Sequence, residues 1–281
     1  MSVKPNYQPQ ATDTNIDADI YLFARLQKLS LAQRIKIFAA HDSGVKKLCL
    51  AGIKTRHRDA DLEIIRSIFA RAVLGEKFTP TFQAIGFNES MWIQDSISLA
   101  GEIHQIFESI NIPYYVSGGV ASSIHGEPRS TRDLDLVIEV QIDQIDLLVI
   151  TLETAGYYCP AGAVENVKQA KERMLNITHT ETIANADIYI SDKSPFAISQ
   201  MAHRILINLD GISPFWVASA EDTILQKLLW SRGSESQKQW RDVLGILKLQ
   251  AQNLDYVYLV EWAEKLNLVD VFSLALNEAG L

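Results

Sequence analysis

Downstream of a glycine pair, Gly118-Gly119, the sequence places two aspartates one residue apart, Asp133 and Asp135, with Arg129, Thr131 and Arg132 beside them. Side chains alternate faces along a strand, so Asp133 and Asp135 point the same way at the head of the apolar run Leu134 to Val140. Mg²⁺ takes hard oxygen ligands, one or two carboxylates at a time, together with phosphate oxygens. Glycine lets the backbone approach closely and adopt positive φ, and amides at a helix start favour an anion. A glycine turn that cradles phosphate, facing two carboxylates that bind metal, is an arrangement for metal-assisted phosphoryl chemistry.

Positioning these groups takes a strand before the turn and a helix after it. Ile112 to Val116 supplies the apolar strand, and a helix from Ile93 to Ile110 leads into it. After the Asp-x-Asp strand, Ile145, Leu148, Val149 and Leu152 give Ile142 to Ala155 a helical stripe ended by Gly156. Met174 to His179 and Asn185 to Ile190 read as two further strands. This order of elements implies a small mixed sheet and an α+β fold. From Ser219 the chain reads as helical: Ser219 with Asp222 forms a capping-box-like start, and helices follow over Ser236 to Leu249 and Asp255 to Leu266.

Ahead of the glycine turn the pattern is helical too. Ser2 to Asn15, with Pro5 and Pro9, reads as a disordered arm. Ile20, Phe23, Leu26 and Leu29 mark one helix, Ser30 caps a second that should stop before Gly44, and Asp59 to Leu74 forms a third with Gly75 past its end. Glu76 to Glu89, with Pro80 and Gly86, reads as a linker. The expected organisation is an arm over 1–16, a basic helical module over 17–80, a linker over 81–92, a core over 93–215 and a helical C-terminal bundle over 216–281.

The run Val116-Ser117-Gly118-Gly119-Val120-Ala121-Ser122-Ser123-Ile124-His125-Gly126, followed by Arg129, Thr131 and Asp133-Leu134-Asp135, resembles the signature of the polymerase β-like nucleotidyltransferase superfamily. It is most similar to bacterial minimal nucleotidyltransferases, including the abortive-infection (AbiE-type) toxin enzymes, from Gln94 to the C-terminus. The resemblance implies a small mixed nucleotidyltransferase sheet flanked by helices, with a helical N-terminal module and a helical C-terminal bundle. It implies transfer of a nucleoside monophosphate from a nucleoside triphosphate to an acceptor hydroxyl on a tRNA end, a protein or a small molecule, by a toxin-type enzyme with a fused regulatory module. Two Mg²⁺ ions would be held by Asp133, Asp135 and Asp187, the catalytic acids; Asp192 competes with Asp187 for the third place. Ser117, Gly118, Gly119, Ser122, Arg129 and Lys227 would bind the nucleotide. The alternative is a non-catalytic nucleotide-binding regulatory protein on the same fold, which the intact Asp133 and Asp135 disfavour.

Composition bounds the remaining classes. With 47% hydrophobic and 21% charged residues among 281, the chain is an ordinary globular one. No apolar run reaches the length of a membrane span and Met1 to Ala18 carries no signal-peptide core, so a cytoplasmic protein is expected, with Cys49 and Cys159 reduced. The net charge of −8 is uneven: residues 1–80 hold 13 Lys/Arg against 8 Asp/Glu, and residues 81–281 hold 13 against 26. An acidic body is a poor non-specific binder of nucleic acid. It suits instead a basic N-terminal module docked on it, through the Leu62, Ile65 and Phe69 stripe with Arg66 and Arg71 at the rim. His125 is expected to end its helix, and Trp216, Trp230 and Trp240 to pack between elements.

Overall fold

The computed structural model of the protein describes residues 6–231 and 237–281. Among the described residues the strands are β1 (Tyr114–Val116), β2 (Leu134–Ile138), β3 (Tyr157–Tyr158), β4 (Met174–His179), β5 (Asn185–Ile190), β6 (Ile205–Leu209) and β7 (Ile212–Val217). They form one sheet in the order β3-β4-β5-β2-β1-β7-β6. The sheet is mixed: β1 runs antiparallel to β2 and parallel to β7, and β2 runs parallel to β5.

Alternation along β2 decides the two faces. Leu134, Leu136 and Ile138 are fully buried, while Asp135 and Val137 turn to the other side. The register aligns Leu134 with Ala186 and Leu136 with Ile188, so β5 extends the same buried face. The helices α5 (Ser96–Ser109), α6 (Gly118–His125) and α7 (Ile145–Thr154) cover it with Ile103, Phe107, Ile124 and Leu148. Asp95 caps α5 and Gly156, at φ +90°, closes the chain behind α7. A short α8 (Ala161–Lys168) packs beside β4.

The N-terminal residues belong to the same body. They form α1 (Ile16–Leu26), α2 (Leu31–Arg56) and α3 (Leu62–Leu74). Ser30 and Gln33 make a reciprocal capping box at the start of α2. That helix does not stop at Gly44 but runs through it. A helix-interior glycine costs only about 1 kcal/mol, which burial of Ile35 and Phe38 before it and Leu50 and Ile53 after it offsets. Ile65 and Phe69 of α3 are buried with Leu50, Ile53, Leu74, Phe82, Trp92 and Ile183, while Leu62 and Tyr158 pack at the edge. Arg66 donates to the Gly86 carbonyl (3.2 Å) and lies over Phe87, and Arg71 lies over Phe78. A single turn, α4 (Glu89–Trp92), follows.

Residues 6–15 correct the expectation of a disordered arm. Lys248 and Asp19 form an ion pair at 2.8 Å with side chains 2% and 0% exposed. Such a pair must have its remaining lone pairs filled, and the Gln10 amide (2.8 Å) and Tyr7 hydroxyl (2.5 Å) donate to Asp19. The arm is held because it completes that pair.

The C-terminal part adds α9 (Pro195–His203), α10 (Ala220–Ser231), α11 (Gln237–Gln250), α12 (Tyr256–Lys265) and α13 (Val269–Ala279). Ile224, Leu228, Val243, Leu247, Leu259 and Phe272 give the bundle its own core. The Ser219 hydroxyl accepts the Asp222 amide (3.0 Å) at its entry. The expected helix start at Ser236 lies outside the described residues. Among the described residues no helix is long and apolar enough to cross a membrane. Cys49 and Cys159 are free thiols, and burial pushes Cys159 up to about 12.

Candidate active site

The glycine turn between β1 and α6 closes directly over β2. Gly118 has φ +57°, and a Cβ there would stand 1.9 Å from Asp135 Oδ2. A Cβ on Gly119 would stand 2.6 Å from Thr131 Oγ1. Conformation and contact together oppose a side chain at Gly118, and one at Gly119 would require Thr131 to shift. The Ser117 amide donates to the Asp135 carbonyl (2.8 Å), and the Gly119 amide lies 3.4 Å from Asp135 Oδ2. Ser117 is buried at the mouth of the turn with no capping bond. The Ser122 hydroxyl donates back to the Gly118 carbonyl (2.8 Å) and that of Ser123 to Gly119 (2.9 Å), so both face their own helix.

Three carboxylates meet at this end of the sheet. Asp135 and Asp187 are direct partners across the β2–β5 ladder, and Asp133 immediately precedes β2. Burial, then repulsion from Asp187 and Asp133, pushes the Asp135 carboxyl above the ordinary range. Asp133 Oδ1 is buried and has no hydrogen-bond partner. Asn176, opposite Asp187 on β4, donates Nδ2 to Asp187 Oδ1 at 2.7 Å. Asp192 lies past the end of β5, where it accepts the Ser194 amide (2.9 Å) and borders the cleft described below.

A lysine from the N-terminal segment completes the cluster. Lys77 Nζ stands 2.9 Å from Asp133 Oδ2 and 2.5 Å from Asp187 Oδ2. Burial pulls its pKa down, but Asp187 and Asp133 outweigh that and leave it above the usual lysine value. Behind α6 a second network has the opposite balance. Asp242 accepts Arg129 Nε and Nη2 at 2.9 and 2.7 Å and Lys227 Nζ at 2.9 Å. Two cations share one carboxylate that is 4% exposed. Burial alone would raise Asp242; Arg129 and Lys227 hold it below the ordinary range, while burial lowers Lys227. Arg129 and Lys227 are thus brought together, by an acid that the motif did not single out. His125 Nε2 donates to the Ala218 carbonyl (2.7 Å), and full burial lowers its pKa.

Asp135 also borders a cleft of about 410 Å³ between the open face of the sheet and α9 and α10. Tyr115, Tyr189, Phe196 and Trp230 give it planar walls; Arg173, Gln200 and Gln226 give it polar groups. Trp230 is 43% exposed, so it is a cleft wall more than the packing residue expected, whereas Trp240 packs against the bundle core.

Among the described residues no group of three or more His, Cys, Asp or Glu side chains is gathered around one metal position. Mg²⁺ does not require such a cage, since it binds through one or two carboxylates plus substrate phosphates. The donors here fit it: all are hard oxygens, the Asp133 Oδ1 atom is buried without a partner, and Asp135 is repelled by Asp187 and Asp133, the two acids that Lys77 bridges. Sequence reasoning missed Lys77, Asn176 and Asp242. Asn176 faces Asp187 across an expected strand pair, so its position was the one signal available; Lys77 sat in a stretch read as linker.

No family model matches the chain, and no curated protein does. Among solved structures, an antigenic nucleotidyltransferase-like protein from Paracoccidioides brasiliensis aligns over 64% of this chain and 91% of its own, at 19% identity and TM-score 0.44. ANT(2")-Ia in complex with adenylyl-2"-tobramycin aligns over 61% and 96%, at 13% identity and TM-score 0.41. A STING-associated CdnE c-di-GMP synthase from Capnocytophaga granulosa aligns over 81% and 71%, at 12% identity and TM-score 0.29. Likeness at this level carries no function across.

Proposed function

We propose that the protein is a Mg²⁺-dependent nucleotidyltransferase that moves a nucleoside monophosphate from a nucleoside triphosphate to an acceptor hydroxyl. The observation that carries this reading is the Gly118-Gly119 turn seated on Asp135, with Asp187 directly opposite and Asp133 alongside. In the reaction the acceptor hydroxyl releases its proton to water as its oxygen forms a bond to the α-phosphorus, the bond from that phosphorus to the bridging oxygen breaks, and pyrophosphate leaves with that electron pair. Asp133 and Asp135 would hold the metal, with Asp187 as the third acid; bound there, Mg²⁺ supplies neutralisation of the charge that builds on the phosphates. The α6 amides orient phosphate oxygens, and the surplus positive charge of Arg129 and Lys227 lies behind them. The planar walls at Tyr115, Tyr189 and Trp230 suit a nucleobase or a ring-bearing acceptor. The acidic body favours a compact acceptor, such as a tRNA end, a protein hydroxyl or a small molecule, over a long nucleic acid.

The Lys77 ammonium seated on Asp133 Oδ2 and Asp187 Oδ2 favours one rival, a non-catalytic nucleotide binder. Incubating the full chain with α-³²P-labelled triphosphates, Mg²⁺ and separate pools of RNA, protein and small molecules separates the two. Label should move to one pool and stay in the triphosphate when EDTA is present. Nucleotide binding with no transfer to any pool would replace the enzyme with the rival.

A further inference from the structure

The acid cluster already holds a cation, and that cation belongs to the chain. Lys77 Nζ bridges Asp133 Oδ2 (2.9 Å) and Asp187 Oδ2 (2.5 Å). Asn176 occupies the other oxygen of Asp187 at 2.7 Å, so both of its oxygens are engaged by protein donors. Two carboxylate oxygens of the cluster lack a close protein donor. Asp133 Oδ1 has no partner, and Asp135 Oδ2 receives the Gly119 amide only at a long 3.4 Å. Three carboxylates against one ammonium leave two negative charges, which one divalent ion neutralises.

The fold fixes where Lys77 starts. It ends a short 3-10 turn, Gly75–Lys77, directly after Leu74, which is 1% exposed. Leu74 and Phe82 on either side are buried with Phe69, against Ile183 and Tyr158 from the same edge of the sheet. Gly75 has φ +56° and its missing Cβ would stand 3.1 Å from Arg132 Nη1, so the turn sits tightly on the segment that leads to Asp133. The segment cannot lift away without exposing that apolar cluster, so the Lys77 backbone stays beside the acids in the folded protein.

We propose that Lys77 is a resident cation that takes the Asp133–Asp187 position, so that the protein binds one divalent ion, at Asp135 and the free oxygen of Asp133, where two would otherwise be held. The inference rests on the reading of these acids as metal ligands. It makes Lys77 the residue that sets metal number at the site, through competition of an ammonium and a divalent ion for the same carboxylate oxygens.

Manganese binding to the full chain, without nucleotide, tests it by calorimetric titration and electron paramagnetic resonance. Wild type should bind one Mn²⁺ per chain and give an uncoupled six-line spectrum. Lys77→Met should bind two, with the spectrum broadened by coupling between ions roughly 4 Å apart, and Lys77→Arg should return to one. Asp187→Asn in the wild-type background should keep the single Mn²⁺ with less than a threefold change in affinity, whereas Asp135→Asn should lose it. Two Mn²⁺ in wild type, or loss of the single ion in Asp187→Asn, would overturn the inference while leaving the metal reading in place; these two results need no Lys77 variant. A single ion in Lys77→Met with wild-type circular dichroism would overturn it equally. No Mn²⁺ on wild type would remove the metal reading and this inference together.

Discussion

Lys77 and Lys227 approach the same end of the sheet from opposite sides and meet opposite balances of charge. Lys77 faces two carboxylates and keeps 26% of its side chain exposed; Lys227 shares one carboxylate with Arg129 and is 3% exposed. The first is driven above the usual lysine pKa and the second below it. Residue type does not separate them. What does is the ratio of acids to cations within reach and the depth of burial, because desolvation penalises a charge unless opposite charge outweighs it. Asp135 lies between the two groups, acting on Lys227 while repelled by Asp187 and Asp133. One side of the glycine turn is thus short of cations and the other has a cation to spare, the polarity that a metal-bound polyphosphate needs.

Removing charge from the acidic side should produce the largest change. Asp135→Asn keeps the shape packed against Gly118 but removes the charge proposed to bind the metal, so nucleotidyl transfer should fall at least about a thousandfold, roughly 4 kcal/mol of transition-state stabilisation. Circular dichroism and thermal melting should remain close to wild type; activity within tenfold of wild type would remove Asp135 from the chemistry.

On the cationic side the expected damage is to the fold. Asp242→Ala strands Lys227, and leaves Arg129 without its bidentate acceptor, at a cost of about 3–5 kcal/mol typical of breaking a buried pair. Urea unfolding would register this as a lower midpoint. A change under 1 kcal/mol would mean that the two cations find other partners and that the comparison between the two sides is misdrawn.

Gly118→Ala tests the join between the two sides. The left-handed conformation costs a non-glycine residue about 1–2 kcal/mol, and the added carbon must also displace the Asp135 carboxylate. Both stability and transfer should drop, transfer by the greater factor; loss of stability with full activity would show that the turn does not set the position of Asp135.

The smallest effect belongs to His125, which is buried behind the cationic side. Its folded pKa is lowered below the unfolded value near 6.5, so the unfolded chain takes up a proton that the folded chain refuses. Stability should therefore fall as pH drops below about 6.5, by at most about 1.4 kcal/mol per pH unit from this group. His125→Gln should remove that share of the slope, read from urea midpoints between pH 7 and 5. An unchanged slope would mean that His125 takes the proton while folded.

The acidic side was more legible in the sequence than the cationic one, for physical reasons. Asp133, Asp135 and Gly118-Gly119 lie close together along the chain, and β4 and β5 were readable from apolar runs bounded by turn residues, which made Asp187 reachable. Lys77 acts through Asp133 and Asp187, and Asp242 through Arg129 and Lys227; all lie outside the local pattern of either residue, which reports none of these contacts. The same holds for β3, a two-residue strand that exists only through β4, and for α2, whose passage through Gly44 is decided by burial on both sides of it. Residues 6–15 looked disordered because their composition is polar; the contact that orders them is a buried pair formed with a lysine in α11.

Release of pyrophosphate from nucleoside triphosphates by the purified full chain tests the central claim most directly, measured with Mg²⁺, with EDTA, and in the presence of total RNA or protein as acceptor. The account predicts release that requires Mg²⁺ and is stimulated by one acceptor pool. Triphosphate binding with no pyrophosphate released in any pool, with Mg²⁺ present, would contradict it.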